Sequence, residues 1–232
     1  MREEYDFNQG IKNPYTKERI HFVGSDESDT KDMTDRTIEY YNDNTQDFIA
    51  GTVGVDVSDL RNRFLETIPQ GGTILDLGCG SGRDTKAFIE MGYDVRAIDG
   101  SPELCREATK FSGCCVECKD FFAIDDVEQF DGIWACASIL HVKKDRIPDL
   151  LLILCRALRL EGTLYLSFKY GDFDGFRDGR YFVDLDEKGF QQVYGRYLNL
   201  YGQGLSMVEE WISEDVRRNR PAKWLNEILK KE

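Results

Sequence analysis

Residues Thr73–Arg83 read TILDLGCGSGR, and this stretch decides the fold. An apolar strand carries an acid, Asp76, near its end, and three glycines that alternate with small residues follow before a helical run. Glycine has no Cβ atom, so the chain can turn sharply here and a ligand can approach the backbone closely. The pattern therefore predicts a strand, a tight turn and a helix, with a ligand site at the turn.

The spacing of the glycines indicates the kind of ligand. Gly78, Gly80 and Gly82 follow a G-x-G-x-G pattern. Nicotinamide and flavin binders instead use G-x-G-x-x-G, which places a pyrophosphate on a helix N-terminus. An acid ahead of the glycines favours a ligand that has a cationic amino group and no phosphates.

Strand-like and helix-like patterns alternate along the chain around this stretch. The predicted elements are strand 73–77, helix 83–91, strand 93–98, helix 102–111, strand 115–118, strand 131–136, helix 145–159 and strand 163–169. Such alternation predicts an α/β fold with a doubly wound, mostly parallel sheet and helices on both faces. Two later strand patterns, 205–212 and 223–230, have no helix between them and predict an antiparallel hairpin at the sheet edge.

The remaining segments have weaker patterns. Thr34 is positioned to cap a helix over 35–46, and a second helix is predicted over 58–67. The glycine- and aspartate-rich stretch 171–179 predicts a loop, and 185–194 has a helical pattern.

These motifs resemble those of the class I methyltransferases that depend on S-adenosyl-L-methionine (SAM). DLGCGSG matches the family's first-strand motif, and YDVRAID at Tyr93–Asp99 ends in an acid about 20 residues past the glycines. FDGIWACA at Phe130–Ala137 is similar to the fourth strand, and LRLEGTLYLSFK at Leu158–Lys169 is similar to the fifth. Glu-Gly-Thr at 161–163 replaces the usual Pro-Gly-Gly. The branch is similar to tellurite-resistance-type and ubiquinone-biosynthesis-type enzymes.

The resemblance implies a Rossmann-like sheet and an enzyme that transfers the methyl group of SAM by in-line displacement. The acceptor atom would be oxygen, nitrogen or sulfur of a small molecule, and S-adenosyl-L-homocysteine would be the other product. Two alternatives remain open: a methyltransferase of tRNA or protein, and a SAM-binding regulatory module without turnover.

The resemblance also implies which residues bind the cofactor. The candidates are Tyr41, Asp76, Gly78, Cys79, Gly80, Gly82, Arg83, Asp99, Gly100, Ser101, Asp120, Phe121, Phe122 and Ala135. Asp76 is expected near the methionine amino group and Asp99 at the ribose hydroxyls. Either Asp120 or Asp125 would reach the adenine amino group. Ser101 has a second role open to it, as the N-cap of a helix that begins with proline.

Catalytic and acceptor-binding candidates lie beyond the fourth and fifth strands. His141 is the candidate general base, because histidine titrates near neutrality and this loop borders the methyl group in the family. The alternative is that His141 is only a packed or hydrogen-bonded loop residue. An acceptor that is already ionised would need no general base. Around the fifth strand, the candidates to bind an anionic or planar acceptor are Lys169, Tyr170, Arg180 and Tyr181.

Composition limits the domain organisation and the partners. The 232 residues suit one α/β domain, predicted over 34–232, after a flexible or loosely docked extension over 1–33. The formal net charge of −13, from 43 acidic and 30 basic residues, disfavours a nucleic-acid partner. No apolar run reaches the ~20 residues of a membrane span. A small-molecule acceptor and a monomer or homodimer are therefore expected.

Cysteine usage indicates the compartment. The seven cysteines are scattered, which suits reduced thiols and a cytoplasmic protein rather than a disulfide framework. The cluster of Cys114, Cys115 and Cys118 lacks an evident fourth ligand, so no metal site is predicted.

Overall fold

The computed structural model describes residues 27–202, 204–217 and 222–232 of the chain. The helices in these residues are α1 (Glu27–Asp43), α2 (Thr45–Thr52), α3 (Ser58–Leu65), α4 (Arg83–Glu90), α5 (Pro102–Ser112), α6 (Ile147–Ala157) and α7 (Glu187–Tyr201). The strands are β1 (Thr73–Leu77), β2 (Asp94–Asp99), β3 (Val116–Cys118), β4 (Phe130–Ala135), β5 (Leu158–Lys169), β6 (Asp174–Arg177), β7 (Arg180–Val183), β8 (Leu205–Glu214) and β9 (Lys223–Lys231).

A seven-stranded sheet in the order β3-β2-β1-β4-β5-β9-β8 forms the centre of the protein. The first five strands of this order pair in parallel. β9 pairs antiparallel with both β5 and β8, which confirms the predicted edge hairpin. The strand order reverses direction between β1 and β4, and α/β sheets bind ligands in the crevice beyond the carboxyl ends of the strands at such a point.

Helices cover both faces of the sheet, as the alternation of patterns predicts. Successive residues of a strand point to opposite faces. Ile133 of β4 accordingly packs in a cluster with Leu150 of α6. Its neighbour Trp134 packs with Phe64 of α3 and Phe88 of α4 on the other face. The prediction of a doubly wound Rossmann-like fold is confirmed.

The N-terminal helices differ from the prediction. The first helix, α1, begins at Glu27 and ends at Asp43, whereas a helix over 35–46 is expected from the Thr34 cap. No glycine or proline interrupts the segment from Glu27 to Asp43, so the helix continues through Thr34. Of the extension predicted over 1–33, residues 1–26 lie outside the described part of the chain. The boundary of the extension stays a prediction.

The stretch predicted as a loop over 171–179 contains a strand instead. β6 pairs antiparallel with β7 in a separate two-stranded hairpin. Asp178 and Gly179 form its turn with φ angles of 51° and 80°. An Asp-Gly pair with two positive φ angles is typical of tight hairpin turns, so this dipeptide was the available signal. The helical pattern at 185–194 extends further, as α7, to Tyr201.

Candidate active site

The turn after β1 approaches other parts of the chain so closely that side chains are excluded. Gly78 and Gly80 have φ angles of 74° and 55°, which disfavour residues with a Cβ atom. A Cβ atom on Gly78 would lie 2.5 Å from Cβ of Ser138. A Cβ atom on Gly80 would lie 3.1 Å from the ring of Phe48. The bare turn therefore leaves room for a ligand against its backbone.

Asp99 lies at the end of β2, beside this turn. Its Oδ2 accepts a hydrogen bond from the Gly80 N–H at 2.9 Å, and its Oδ1 accepts one from the Ser101 N–H at 2.8 Å. Burial raises the pKa of this carboxyl, while the backbone N–H groups oppose that shift. Ser101 also caps α5, because its hydroxyl accepts from the Leu104 N–H at 3.1 Å. Asp99 is thus fixed in one orientation by main-chain donors.

A cleft with about 800 Å³ of free space opens over Asp99, and we name it the inner cleft. The residues that line it include Ile38, Asp99, Gly100, Ser101, Leu104, Asp120, Phe121, Phe122 and Val142. Apolar walls with a fixed carboxylate suit a planar ring joined to a group that carries hydroxyl donors.

Asp120, and not Asp125, borders the inner cleft. Oδ1 of Asp120 accepts from the Phe122 N–H at 2.6 Å and begins a short 3-10 turn over Phe121–Ala123. This turn directs Phe121 and Phe122 to the cleft wall. Asp125 is exposed, and its Oδ1 pairs with Nζ of Lys119 at 3.1 Å. Of the two candidates, only Asp120 lines a described cleft, and its contact with adenine stays a prediction.

A second cleft of about 1850 Å³, which we name the outer cleft, lies on the other side of the turn. Asp76, only 3% exposed, borders it and accepts a hydrogen bond from the Thr85 hydroxyl at 2.5 Å. Burial, and then the charge of Asp84, raise the pKa of Asp76 to about 7. A cationic ligand group placed beside Asp76 would stabilise its ionised form. Cys79 also lines this cleft.

Arg83 lines the outer cleft but is already paired. Its guanidinium donates to both oxygens of Asp84, at 3.0 and 2.6 Å. Asp84 also accepts from Nη1 of Arg61 at 2.7 Å and from Nε1 of Trp134 at 3.1 Å. Burial opposes ionisation of Asp84, but Arg83 and Arg61 outweigh it and lower the pKa. Asp84 is therefore the centre of a buried charged cluster in the wall of the outer cleft.

The two clefts share a wall that contains Tyr41 and His141. Six residues line both clefts, namely Tyr41, Phe48, Gly78, Gly80, Ala137 and His141. Nδ1 of His141 lies 2.6 Å from the Tyr181 carbonyl oxygen, so Nδ1 carries the proton that this acceptor requires. Nε2 of the neutral ring then accepts from the Tyr41 hydroxyl at 2.8 Å. Burial, with nearby Arg180, lowers the pKa of His141 to about 3.

Two of the four predicted acceptor-binding residues line the outer cleft. Lys169 at the end of β5 and Arg180 at the start of β7 both border it. Tyr170 does not, because its hydroxyl donates to Glu187 at 2.9 Å on the surface. Tyr181 directs its hydroxyl to Asp174, and only its main chain contacts the site, through His141.

Two predicted cofactor-binding residues lie away from both clefts. Ala135 is fully buried in the core, and the next two residues, Cys136 and Ala137, line the outer cleft instead. The expected contact for Ala135 is thus corrected, because the strand ends before the chain reaches the cleft. Gly82 has φ of 76° and precedes α4. A Cβ atom there would lie 3.1 Å from Ala108, so Gly82 permits close packing of α4 and α5.

The sequence patterns missed several residues of the site. Phe48 of α2 and Ile38 of α1 both line a cleft. Phe48 and Ile38 have the apolar spacing of ordinary core residues, so no signal in the sequence distinguishes them. Ala137 has an unusual positive φ of 54°, which the sequence does not reveal.

In the described part of the chain, no group of three or more His, Cys, Asp or Glu residues is arranged to hold a metal. No helix of the described residues is long and apolar enough to cross a membrane.

The chain is similar to several known proteins. The methyltransferase domain family matches residues 74–162. A protein of Staphylococcus carnosus (strain TM300) named "Uncharacterized methyltransferase" is 27% identical over 172 residues, which cover 68% of this chain and 82% of that protein. A ubiquinone biosynthesis O-methyltransferase of Xanthomonas campestris pv. campestris (strain B100) is 33% identical over 107 residues, 42% of this chain. The match spans 43% of that relative.

A solved structure shares the fold along most of the chain. The 1,6-didemethyltoxoflavin-N1-methyltransferase of Burkholderia thailandensis was crystallised with 1,6-didemethyltoxoflavin and S-adenosylhomocysteine. It superimposes with a TM-score of 0.68 and 19% identity, and covers 92% of this chain and 93% of that one. At this identity the likeness shows a common fold.

Proposed function

We propose that this chain, which belongs to the class I SAM-dependent methyltransferases, methylates a small-molecule acceptor bound in the outer cleft. The observation that carries the proposal is the pair of adjoining clefts, which differ in chemistry and share Tyr41 and His141 in one wall. An apolar inner cleft with a fixed carboxylate suits adenosine, and the outer cleft leaves space for an acceptor.

The residues present fit the cofactor. Asp99 lines the inner cleft, and its carboxylate can accept hydrogen bonds from the two ribose hydroxyls. Phe121 and Phe122 provide an apolar wall for adenine. Asp76 borders the outer cleft, where its charge would attract the cationic amino group. Gly78 and Gly80 lie in the turn between these two carboxylates, and neither has a side chain that would block the ligand. The cofactor-binding roles of these residues rest on that complementarity.

Positioning is the main task left to the protein. SAM supplies a methyl group that its sulfonium already activates. The chain must hold the acceptor atom in line and keep water away. The shared wall of Tyr41, Ala137 and His141 is where an acceptor in the outer cleft would meet the cofactor.

The state of His141 favours an acceptor that reacts without a general base. A histidine with a pKa of about 3 is a weak base, and Nε2 of His141 is engaged by the Tyr41 hydroxyl. We therefore assign His141 the role of positioning Tyr41 in the shared wall. The acceptor then reacts in a form that has already lost its proton. The earlier hypothesis that His141 is the base remains the competing one, and a pH profile separates the two.

A small acceptor fits the surroundings better than a macromolecule does. α1 contributes Tyr41 to both clefts, and Arg180 of β7 donates a hydrogen bond to its hydroxyl, so two segments outside the sheet meet at the shared wall. The net charge of −13 also disfavours tRNA. A tRNA or protein methyltransferase is the alternative outcome of an acceptor screen that uses isotope-labelled SAM and scores the methylated product by mass.

Calorimetric titration tests the cofactor site. We expect SAM and S-adenosylhomocysteine to bind, and NAD to give no heat. Asp99→Asn should weaken S-adenosylhomocysteine binding about tenfold or more, because a buried charge-assisted hydrogen bond contributes about 1.5–3 kcal/mol. Asp125→Asn is the matched control, since Asp125 is an exposed acid outside both clefts. Unchanged affinity in Asp99→Asn would remove its assigned role.

A further inference from the structure

We propose that the methyl acceptor is a small organic anion, and that Lys169 and Arg180 bind its anionic group in the outer cleft. The proposal rests on the function proposed above and names the chemical class of the acceptor. It starts from two cations that face the same space from different strands. Lys169 ends β5 and Arg180 begins β7, and both line the outer cleft together with His141.

Neither cation has a carboxylate partner within the described residues. The other two arginines that line this cleft are both paired: Arg83 with Asp84, and Arg217 with Asp215 at 2.5 Å. Lys169 and Arg180 form no ion pair in the part of the chain that the structure covers. The neighbouring Arg177 differs from them, because it binds Asp184 through two hydrogen bonds of 2.8 and 2.9 Å.

The two cations contact the faces of aromatic rings instead of carboxylates. Nζ of Lys169 lies 4.3 Å from the centre of the Phe182 ring, and Cζ of Arg180 lies 5.0 Å from the same centre. The Arg180 guanidinium also stacks 4.5 Å from the ring centre of Tyr40. A ring face orients a cation without neutralising its charge. Both side chains thus stay available to an anion.

Burial strengthens the effect of these charges. Nε of Arg180 is buried and has no hydrogen-bond partner among the described atoms. Nη1 of Arg180 makes one long hydrogen bond of 3.4 Å to the Tyr41 hydroxyl. Burial, and then the charge of Arg177, lower the pKa of Lys169, and the charge of Asp184 opposes them. Partly buried cations that form no ion pair are costly, so a bound anion would relieve that cost.

The rest of the cleft does not supply the missing counter-charge. Besides Asp84 and Asp215, which pair with the other two arginines, its lining contains the acids Asp56, Asp59, Asp76 and Glu214. None of these four forms an ion pair with Lys169 or Arg180 in the described residues; Glu214 pairs instead with Lys223. In a chain with 43 acids and 30 basic residues, two cations left unpaired at one site indicate a ligand of negative charge.

An anionic acceptor also agrees with the neutral state of His141. The ionised acceptor atom uses its own electron pair to form the new bond to the methyl carbon. The electrons of the broken sulfur–carbon bond remain on sulfur, which becomes the neutral thioether of S-adenosylhomocysteine. No proton has to be removed, so no base is required. The same cations that lower the pKa of His141 would keep the acceptor ionised.

The experiment compares carboxylates with their own amides. Acetate, benzoate and salicylate, and the amide of each, are titrated calorimetrically into the full chain saturated with S-adenosylhomocysteine. We expect at least one carboxylate to bind about tenfold or more tightly than its amide, because a hydrogen bond to a charged group contributes about 1.5–3 kcal/mol. If no carboxylate binds more tightly than its amide, the proposal is wrong.

Variants then assign the preference to the two cations. Lys169→Met and Arg180→Leu should each reduce the carboxylate preference about tenfold, and Lys169→Met should leave S-adenosylhomocysteine affinity unchanged. Arg180→Lys keeps a charge and should restore part of the preference if Arg180→Leu packs poorly. Lys188→Met is the matched control, because Lys188 is an exposed lysine of α7 outside the cleft. If the double variant Lys169→Met, Arg180→Leu retains the full preference for the carboxylate over its amide, the assignment is wrong.

Failure of this inference is distinguishable from failure of the proposed function. A chain that binds S-adenosylhomocysteine but shows no preference for carboxylates contradicts the anionic acceptor alone. A chain that binds no S-adenosylhomocysteine contradicts the proposed function as well.

Discussion

The hydroxyl of Tyr41 donates a hydrogen bond of 2.8 Å to Nε2 of His141, which joins α1 to the loop after β4. The other ring nitrogen of His141 donates to the main-chain carbonyl of Tyr181 in β7. Three segments that are far apart in the sequence therefore meet at one imidazole ring. This ring lies in the wall between the two clefts, so its protonation state bears directly on the chemistry.

The first prediction concerns the pH dependence of turnover. With a pKa of about 3, His141 is neutral throughout the range in which the enzyme can be assayed. At saturating SAM and acceptor, we expect the plot of kcat against pH to show no rise or fall with a midpoint near pH 6.5, the ordinary pKa of histidine. The rate of S-adenosylhomocysteine release, measured from about pH 5.5 to 8, checks this.

His141→Gln is the companion variant. The shape of its pH profile should match that of the unmodified chain, even if its turnover is slower. A limb near pH 6.5 that disappears in His141→Gln would show that His141 is the general base.

The second prediction concerns the pH dependence of cofactor affinity. Asp76 has a pKa of about 7 without a ligand, so at pH 5.5 it is mostly protonated. A cationic amino group binds the ionised form, which means that affinity should rise with pH. We expect SAM to bind about tenfold more tightly at pH 7 than at about pH 5.5, where the amino group stays charged. Calorimetry at several pH values measures this slope.

Asp76→Asn should remove the slope as well as weaken binding. A slope that persists unchanged in Asp76→Asn would assign the titration to a different group and detach Asp76 from the amino group.

The third prediction concerns stability at the buried charged centre. Asp84 is the shared partner of Arg61 and Arg83. Asp84→Asn leaves two partly or fully buried guanidinium groups without their counter-ion, which should cost about 3–5 kcal/mol of unfolding free energy. Urea unfolding followed by circular dichroism measures the loss. The control is Glu103→Gln, which breaks an exposed pair with Arg106 and should cost at most about 1 kcal/mol.

The fourth prediction concerns a carboxyl group of the antiparallel edge. Glu227 of β9 is fully buried, and burial together with Glu210 raises its pKa to about 10. Because the folded chain holds this proton and the unfolded chain releases it near pH 4.5, Glu227 makes stability fall as pH rises from about 5 towards 10. Glu227→Gln should match the unmodified chain near pH 4.5 and be more stable than it at pH 9.

Thermal unfolding at these two pH values is the measurement. Equal melting temperatures of both chains at pH 9 would contradict the raised pKa. The neighbouring Glu187 contributes to the same field, so Glu187→Gln should reduce the slope by a smaller amount.

The sequence predicts the parts of the site that depend on local pattern. Asp76 and Asp99 are each placed at the end of an apolar strand next to a turn, and the structure has them there. Asp120 and Asp125 could not be separated, because both follow β3 at similar distances and only the 3-10 turn over Phe121–Ala123 distinguishes them. Ala135 is the last residue of β4 and the cleft lining begins one residue later, at Cys136, since sequence patterns do not fix the end of a strand.

Contacts between distant segments could not be predicted. Tyr41 and His141 are 100 residues apart, and nothing in either neighbourhood indicates their contact. The sequence predicts a loop instead of the hairpin that brings Arg180 to the cleft, because glycine and aspartate dominate 171–179. Its position against α1 is a tertiary feature: a Cβ atom on Gly179 would lie 2.7 Å from the Tyr40 ring.

The location of α1 has a consequence for the order of events in one turnover. Tyr41 belongs to the walls of both compartments, and Arg180 rests on the rings of Tyr40 and Tyr41. Any tilt of this helix away from the sheet would open both compartments together. Exchange of spent cofactor and departure of methylated product would then both respond to movement of the same helix.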